Sequence, residues 1–222
     1  MAKAKAKGLF VTFEGGEGAG KTTQIKLLSE YIQSKYAQDV VETREPGGTP
    51  GAEKIRNLII QKEGVDWTPL SETLMFFAAR HIHVENLIKP ALDAGKIVLC
   101  DRFTDSTRTY QSYGHGLDPQ TIETINDITL NGFEPDLTFI IDLDVVTGLK
   151  RAKSRLQNDN SGEDRYESLN VEFHERLHKG FLEIAENNPQ RCRVVDGSGS
   201  IEQLSLQIQS EFDKIWAEHH NG

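Results

Sequence analysis

The run Gly15-Gly16-Glu17-Gly18-Ala19-Gly20-Lys21-Thr22 constrains this chain more than any other stretch of it. It matches G-x-x-x-x-G-K-[ST], a spacing with a mechanical meaning. Its glycines let successive backbone N–H groups turn inward around phosphate oxygens, at the positive end of a following helix. Lys21 then reaches the outer phosphates, and the Thr22 hydroxyl is placed to ligate Mg²⁺. The flanks agree with that geometry. Leu9-Phe10-Val11-Thr12-Phe13 is a β-rich run before the loop, and Ile25, Leu27, Leu28, Tyr31 and Ile32 form a helical stripe after it. Residues Gly15 to Thr23 are therefore expected to hold the phosphates of a nucleoside triphosphate. The motif does not say what receives the phosphoryl group.

The rest of the chain repeats the same alternation. Val40-Val41, Lys96 to Cys100, Leu137 to Leu143 and Cys192 to Val195 read as further strands. Helical patterns cover Ala52–Ile60, Leu70–Leu92, a segment after Arg102 through Tyr113, Asp118–Leu130, Val145–Leu156, Glu167–Glu186 and Ile201–Trp216. Five strands, each followed by a helix, predict parallel pairing with right-handed crossovers. The strand runs are continuously apolar, as a sheet covered on both faces requires. No linker divides the 222 residues, so one α/β domain spans 1–222, with residues 1–7 as a disordered tail. Asn158 to Glu163 contains no apolar residue and reads as a mobile loop, and residues 151–166 form a lid.

Composition narrows the partners. The formal net charge is −9, which argues against a nucleic-acid scaffold while leaving room for a local cationic pocket. No run of 18 apolar residues exists to span a membrane. Cys100 and Cys192, the two cysteines, lie far apart outside any CxxC spacing, so a reducing, cytoplasmic setting is expected and a zinc site is not.

Two functional classes compete: a nucleotide-dependent switch and a kinase for a small substrate. A guanine-reading switch needs Asn-Lys-x-Asp, and none occurs. Asp159-Asn160-Ser161-Gly162 and Asp196-Gly197-Ser198-Gly199 have the Asp-x-x-G spacing but lie far from the position just after the second or third strand where a γ-phosphate sensor belongs. The kinase reading gains from arginines. Arg44 follows the second strand, Arg102 follows the third, and Arg80 lies one helical turn after Phe76. Ligands bind at the carboxyl edge of parallel sheets, and guanidinium suits phosphate.

Thr43-Arg44-Glu45-Pro46-Gly47-Gly48-Thr49-Pro50, Leu74-Met75-Phe76-Phe77-Ala78-Ala79-Arg80, Asp101-Arg102-Phe103 and Ser106-Thr107-x-x-Tyr110-Gln111 resemble, in order, the thymidylate kinases of bacterial type. The resemblance runs from about Leu9 to the final helix. It implies a P-loop NTPase fold with a five-stranded parallel sheet and a small lid, transfer of a phosphoryl group from ATP to dTMP, and a homodimer. Another nucleoside monophosphate remains the alternative acceptor. By resemblance, Phe76 stacks on thymine, Arg80 bonds its carbonyl edge, and Thr107 and Gln111 meet the other polar edge. Arg44 and Arg102 hold the acceptor phosphate, beside Glu45 and Pro46, with Arg56 nearby. Glu17 contacts the 3′-hydroxyl, Tyr110 packs where a 2′-hydroxyl would sit, and Asp101 acts on Mg²⁺. From the residues alone, Phe76 and Tyr110 also suit plain core positions, and Thr107 and Gln111 a solvated pair. Arg108 either points to solvent or adds a phosphate contact.

The attacking dTMP oxygen is already ionised at neutral pH, so catalysis rests on positioning and charge stabilisation. Lys21 is the only cation of the cradle. Arg155 and Arg165, flanking the polar loop, are the expected further catalytic cations alongside Lys21 and Arg102.

Overall fold

A computed structural model describes residues 8–60, 66–156, 166 and 169–221, without the side chains of 155, 156, 220 and 221. The expected tail at 1–7, the polar loop at 158–163 and Arg165 lie outside the described residues, as does the side chain of Arg155.

Each crossover unit begins with a strand. In chain order the strands are β1 (Phe10–Glu14), β2 (Val40–Arg44), β3 (Ile97–Asp101), β4 (Leu137–Asp142) and β5 (Cys192–Asp196). They pair in the order β2-β3-β1-β4-β5, and every pairing is parallel. Crossovers leave β1 toward β2 on one side, while β4 lies on its other side. The reversal opens a crevice beyond the carboxyl end of β1, which is where the glycine-rich loop emerges.

Side-chain parity divides the core. Leu9, Val11 and Phe13 join Ile97, Leu99, Leu137, Phe139 and Ile141 on one face. That face is covered by Ile25, Leu28 and Ile32 of α1 (Lys21–Tyr36) and Leu204, Ile208 and Phe212 of α9 (Ile201–Asn221). Phe10, Val98 and Cys100 point the other way and meet Phe77 of α3 (Pro69–His83) and Ile122 and Leu130 of α6 (Pro119–Leu130). Both cysteines are free and buried. A third cluster joins Tyr110 and Ile140 to Phe173, Leu177 and Phe181 of α8 (Val171–Asn187).

Three helical boundaries depart from the expectation. The stretch expected as one helix over Leu70–Leu92 is α3, a π-helical turn at Val84–Ile88, then α4 (Lys89–Asp93). The segment after β3 is a short α5 (Thr104–Thr107) continued by a π-helix at Arg108–Gly114. Its wider turn rotates Tyr110 and Gln111 toward the crevice. The helix expected from Glu167 starts instead at Val171, because the Asn170 side chain accepts the Phe173 N–H at 2.9 Å and caps it there. The remaining helices are α2 (Pro50–Ile60) and α7 (Val145–Leu156).

Candidate active site

The strand ends meet at a cavity of about 580 Å³. One end is walled by Glu17 to Thr23, the other by Phe76, Arg80, Thr107 and Gln111, with Arg44, Arg56 and Arg102 between them. The cavity thus brings together the cradle and the acceptor residues expected from sequence. Glu45, Pro46, Ile59, Ile60, Asp101, Ser106, Tyr110 and Tyr166 complete its wall.

The cradle is built by backbone geometry. Gly15, Gly18 and Gly20 have φ of 132°, 68° and 94°, open to glycine and costly for other residues. A Cβ on Gly18 would collide with the Gly148 carbonyl of α7. Gly15 and Gly16 are off the cavity wall, and their carbonyls receive Lys21 Nζ at 3.1 and 3.0 Å. Burial lowers the Lys21 pKa, as does the nearby Arg102 charge, against the opposing pull of Asp101 and Glu17. The Thr22 hydroxyl donates to Asp101 Oδ2 at 2.8 Å, so the two residues expected at a metal ion stand together.

Glu17 needed a cation or a hydroxyl to sit beside a phosphate cradle, and the chain supplies both. Arg102 Nη2 donates to Glu17 Oε1 at 2.8 Å, and the Tyr110 hydroxyl donates to the same oxygen at 2.6 Å. Burial pushes the Glu17 pKa up, but Arg102 and Lys21 outweigh it and bring the carboxyl down to about 2. The Arg102 guanidinium also lies 5.0 Å over the Tyr110 ring.

Arg102 occupies a strained position, with φ of 70° where β3 ends. Glu14 holds the turn. Its Oε1 accepts Phe103 N–H at 2.7 Å and Ser106 N–H at 3.3 Å, and its Oε2 accepts the Ser106 hydroxyl at 2.6 Å. Ser106 Oγ in turn accepts Arg102 Nη1 at 3.1 Å. Burial pushes the Glu14 pKa up to about 7, with Asp105 adding to it and Ser106, Arg102 and Phe103 opposing. Glu14 did not figure among the sequence candidates. A carboxylate closing a continuously apolar strand run was the available signal.

The other end of the cavity is equally specified. Arg80 is 2% exposed; its Nε donates to Glu45 Oε2 at 2.6 Å, and its Nη2 to Phe103 O and Thr107 Oγ1 at 3.1 and 3.0 Å. Arg80 Nη1 is buried with no hydrogen-bond partner among the described residues. Glu45 Oε1 bonds His83 Nδ1 at 2.9 Å, and His83 Nε2 meets Thr43 Oγ1 at 2.7 Å, fixing the turn through the cis Glu45–Pro46 bond. Thr107 and Gln111 are buried, not a solvated pair, and Gln111 Nε2 donates to Glu72 Oε2 at 3.0 Å. Phe76 is half-buried on the cavity wall. Glu72, Phe76 and Arg80 recur every four residues along one helix face, a spacing that would have pointed to Glu72.

Arg44 pairs with Glu53 at 3.2 Å and, like Arg56, donates to Pro46 O. Arg108 takes neither course left open for it. It binds Asp105, Glu123 and Glu134 at 2.8–2.9 Å, and Asp105 also binds Arg191. Asp196 Oδ1 accepts Ser198 N–H at 2.8 Å, so that Asp-x-x-G is a turn cap. Arg151 donates to Gly197 O at 3.4 Å, bringing α7 to the same turn.

The family model for thymidylate kinase matches residues 13–208. The thymidylate kinase of Geotalea uraniireducens is 46% identical over 203 residues, covering 90% of this chain and 94% of its own. That of Caulobacter vibrioides is 45% identical over 202 residues, covering 91% and 94%. The crystal structure of the Ehrlichia chaffeensis thymidylate kinase superposes with a TM-score of 0.75 at 39% identity, over 93% of this chain and 99% of that one.

Proposed function

The chain belongs to the thymidylate kinase family, and from that premise we propose how its own residues carry the reaction. It transfers a phosphoryl group from ATP to dTMP, giving ADP and dTDP for dTTP synthesis. The observation that carries the residue assignment is the single cavity running from the cradle to Phe76, Arg80 and Gln111.

ATP lies with its phosphates on Gly15 to Thr23 and its adenine toward α7 and the Asp196–Gly199 turn. Phe76 stacks on thymine, and Arg80 Nη1, a buried donor lacking an acceptor among the described residues, takes a base carbonyl. Thr107 and Gln111 meet the remaining polar edge. Arg44, Arg102 and, beside them, Arg56 neutralise the acceptor phosphate, with Glu45 and Pro46 shaping the turn. Glu17, fixed by Arg102 and Tyr110, accepts the 3′-hydroxyl, and the Tyr110 ring fills the space of a 2′-hydroxyl.

Thr22 and Asp101 suit a hard cation that keeps waters and takes its other oxygens from phosphate. They would hold Mg²⁺, which supplies charge neutralisation at the phosphates. The acceptor oxygen needs no base. Lys21 and Arg102 bind and align the two phosphates, and Arg155 and Arg165, from a lid at about 151–166 in one continuous domain, complete the cationic shell.

We also assign a homodimer formed through helices on one side of the sheet. Leu58 of α2, Leu70 and Leu74 of α3 and Ile128 of α6 are exposed apolar side chains, Ile128 at 78%. The enzyme is assigned to the cytoplasm; no described helix is long and apolar enough to cross a membrane.

ADP release measured against a panel of monophosphates tests the reading. dTMP should react well, dUMP less well and UMP poorly. Equal kcat/KM for dTMP and UMP would remove the assignment of Tyr110 and Phe76.

A further inference from the structure

Gln111 can present either its oxygen or its nitrogen to the cavity, and the two faces recognise opposite bases. The structure removes that ambiguity. Glu72 Oε2 receives Gln111 Nε2 at 3.0 Å, and the two side chains come from different elements, α3 and the π-helix. Glu72 Oε2 accepts this bond, which leaves the Gln111 oxygen for the cavity side. Glu72 and Gln111 are 2% and 1% exposed, which leaves little room for water to satisfy the reversed amide. Glu72 also sits in the first turn of α3, where the helix field favours negative charge.

We infer that Glu72 is a specificity-determining residue that acts through Gln111, holding the amide so that its oxygen faces the base. The inference rests on the placement of Gln111 against the base made above. Arg80 supplies the second half of the pattern. Its Nε and Nη2 are committed to Glu45, Phe103 and Thr107, and Nη1 remains as a donor. A fixed donor beside a fixed acceptor matches a base edge carrying a carbonyl next to an N–H, as in thymine and uracil. Cytosine presents an amino group next to a bare ring nitrogen there, so it would set donor against donor and acceptor against acceptor. Glu72 touches no substrate; it is a positioning residue that fixes which base the pocket reads.

The test compares kcat/KM for dTMP and dCMP in five proteins: the parent enzyme, Glu72→Gln, Glu72→Met, Gln111→Leu and the double variant Glu72→Gln with Gln111→Leu. Glu72→Gln keeps the volume but lets the Gln111 amide turn either way. Glu72→Met removes the oxygen acceptors and leaves only a weakly accepting thioether at that position. Each should lower the dTMP:dCMP ratio by about tenfold, through weaker dTMP and stronger dCMP use, with KM for ATP unchanged. In a Gln111→Leu background, Glu72→Gln should move the ratio no further, a coupling that a merely structural role would not produce. Thermal unfolding of each variant identifies one that does not fold, and the other Glu72 variant then decides. If Gln111→Leu raises KM for dTMP while both folded Glu72 variants keep the parental ratio, the role of Glu72 is overturned and that of Gln111 stands. If Gln111→Leu leaves KM for dTMP unchanged, the placement of Gln111 falls, and the inference with it.

Discussion

Arg102 joins two tasks in one side chain. It pairs with Glu17, and it faces the cavity where the acceptor phosphate is assigned. Arg102→Ala should raise KM for dTMP far more than KM for ATP, since a charge-assisted contact to an anion is worth about 1.5–3 kcal/mol. Steady-state kinetics with each substrate varied decides it, and a loss confined to ATP would put the residue in the other subsite. Glu14, which holds the same turn, gives a pH signature. Its carboxyl, raised from 4.5 to about 7, binds its proton more tightly in the folded than in the unfolded chain. Its contribution to stability is therefore full below about pH 4.5 and is lost as pH rises through 7. The stability margin of the parent over Glu14→Gln should grow by about 1.4 kcal/mol per unit as pH falls from 7 toward 5. Urea unfolding at pH 8, 6.5 and 5 measures this, and a margin independent of pH contradicts it. At this scale the cationic residues that line the cavity were legible, because charge and spacing mark Lys21, Arg44, Arg80 and Arg102. The residues that hold them were less so. Glu14, His83 and Glu72 act through partners 38 to 92 positions away, and such pairings exist only once the sheet has formed.

Helix α7 bears directly on the cradle. A Cβ on Gly148 would lie 2.5 Å from the backbone oxygen of Glu17. Gly148→Ala should displace either the helix or the loop, at a cost of about 1–3 kcal/mol in stability. KM for ATP should rise at least about fivefold, with a smaller change for dTMP. Isothermal binding of ADP reads the effect directly, and unchanged affinity would mean that the contact is accommodated without moving the cradle. The same helix leads into the segment proposed as a lid. Arg155→Ala and Arg165→Ala should each lower kcat by at least about tenfold with little change in KM, because the contact strengthens as charge moves. A double variant with near-full kcat would leave the shell to Lys21, Arg102 and Mg²⁺. The helices themselves were read from apolar period, and their type was not. Val84–Ile88 and Arg108–Gly114 keep a helical pattern in sequence while widening by one residue per turn, a change set by packing against neighbours.

On the scale of the whole molecule, parallel pairing follows from alternating strands and helices, since each crossover has only one favoured hand, and it brings five strand ends to one edge. The order β2-β3-β1-β4-β5 is visible only in the folded sheet, because handedness leaves several orders open. The edge-to-core charge arrangement was less visible. Arg108 and Arg191 tie α6 and β5 to Asp105 beneath the site, and nothing in local spacing marks them. The exposed apolar residues of α2, α3 and α6 make a prediction here as well. Ile128→Asp should shift the enzyme toward monomer in light scattering after size exclusion, with a Tm that becomes less dependent on concentration. An unchanged mass would move the interface elsewhere.

The two cysteines have a use beyond packing. Cys100 is fully buried and its thiol is held well above its ordinary range by burial, and the Cys192 thiol is pushed up to about 12 by the same cause. Thiolate is the form that reacts with maleimides, so both native sulfurs should stay silent to such reagents in the folded enzyme. Any cysteine introduced on the surface then becomes the sole labelling position without first removing the native pair. Lys153→Cys, on the exposed side of α7, would carry one fluorophore per chain on the helix whose Gly148 abuts the cradle. The native structure already provides the blank background that a single-dye recording at this helix needs.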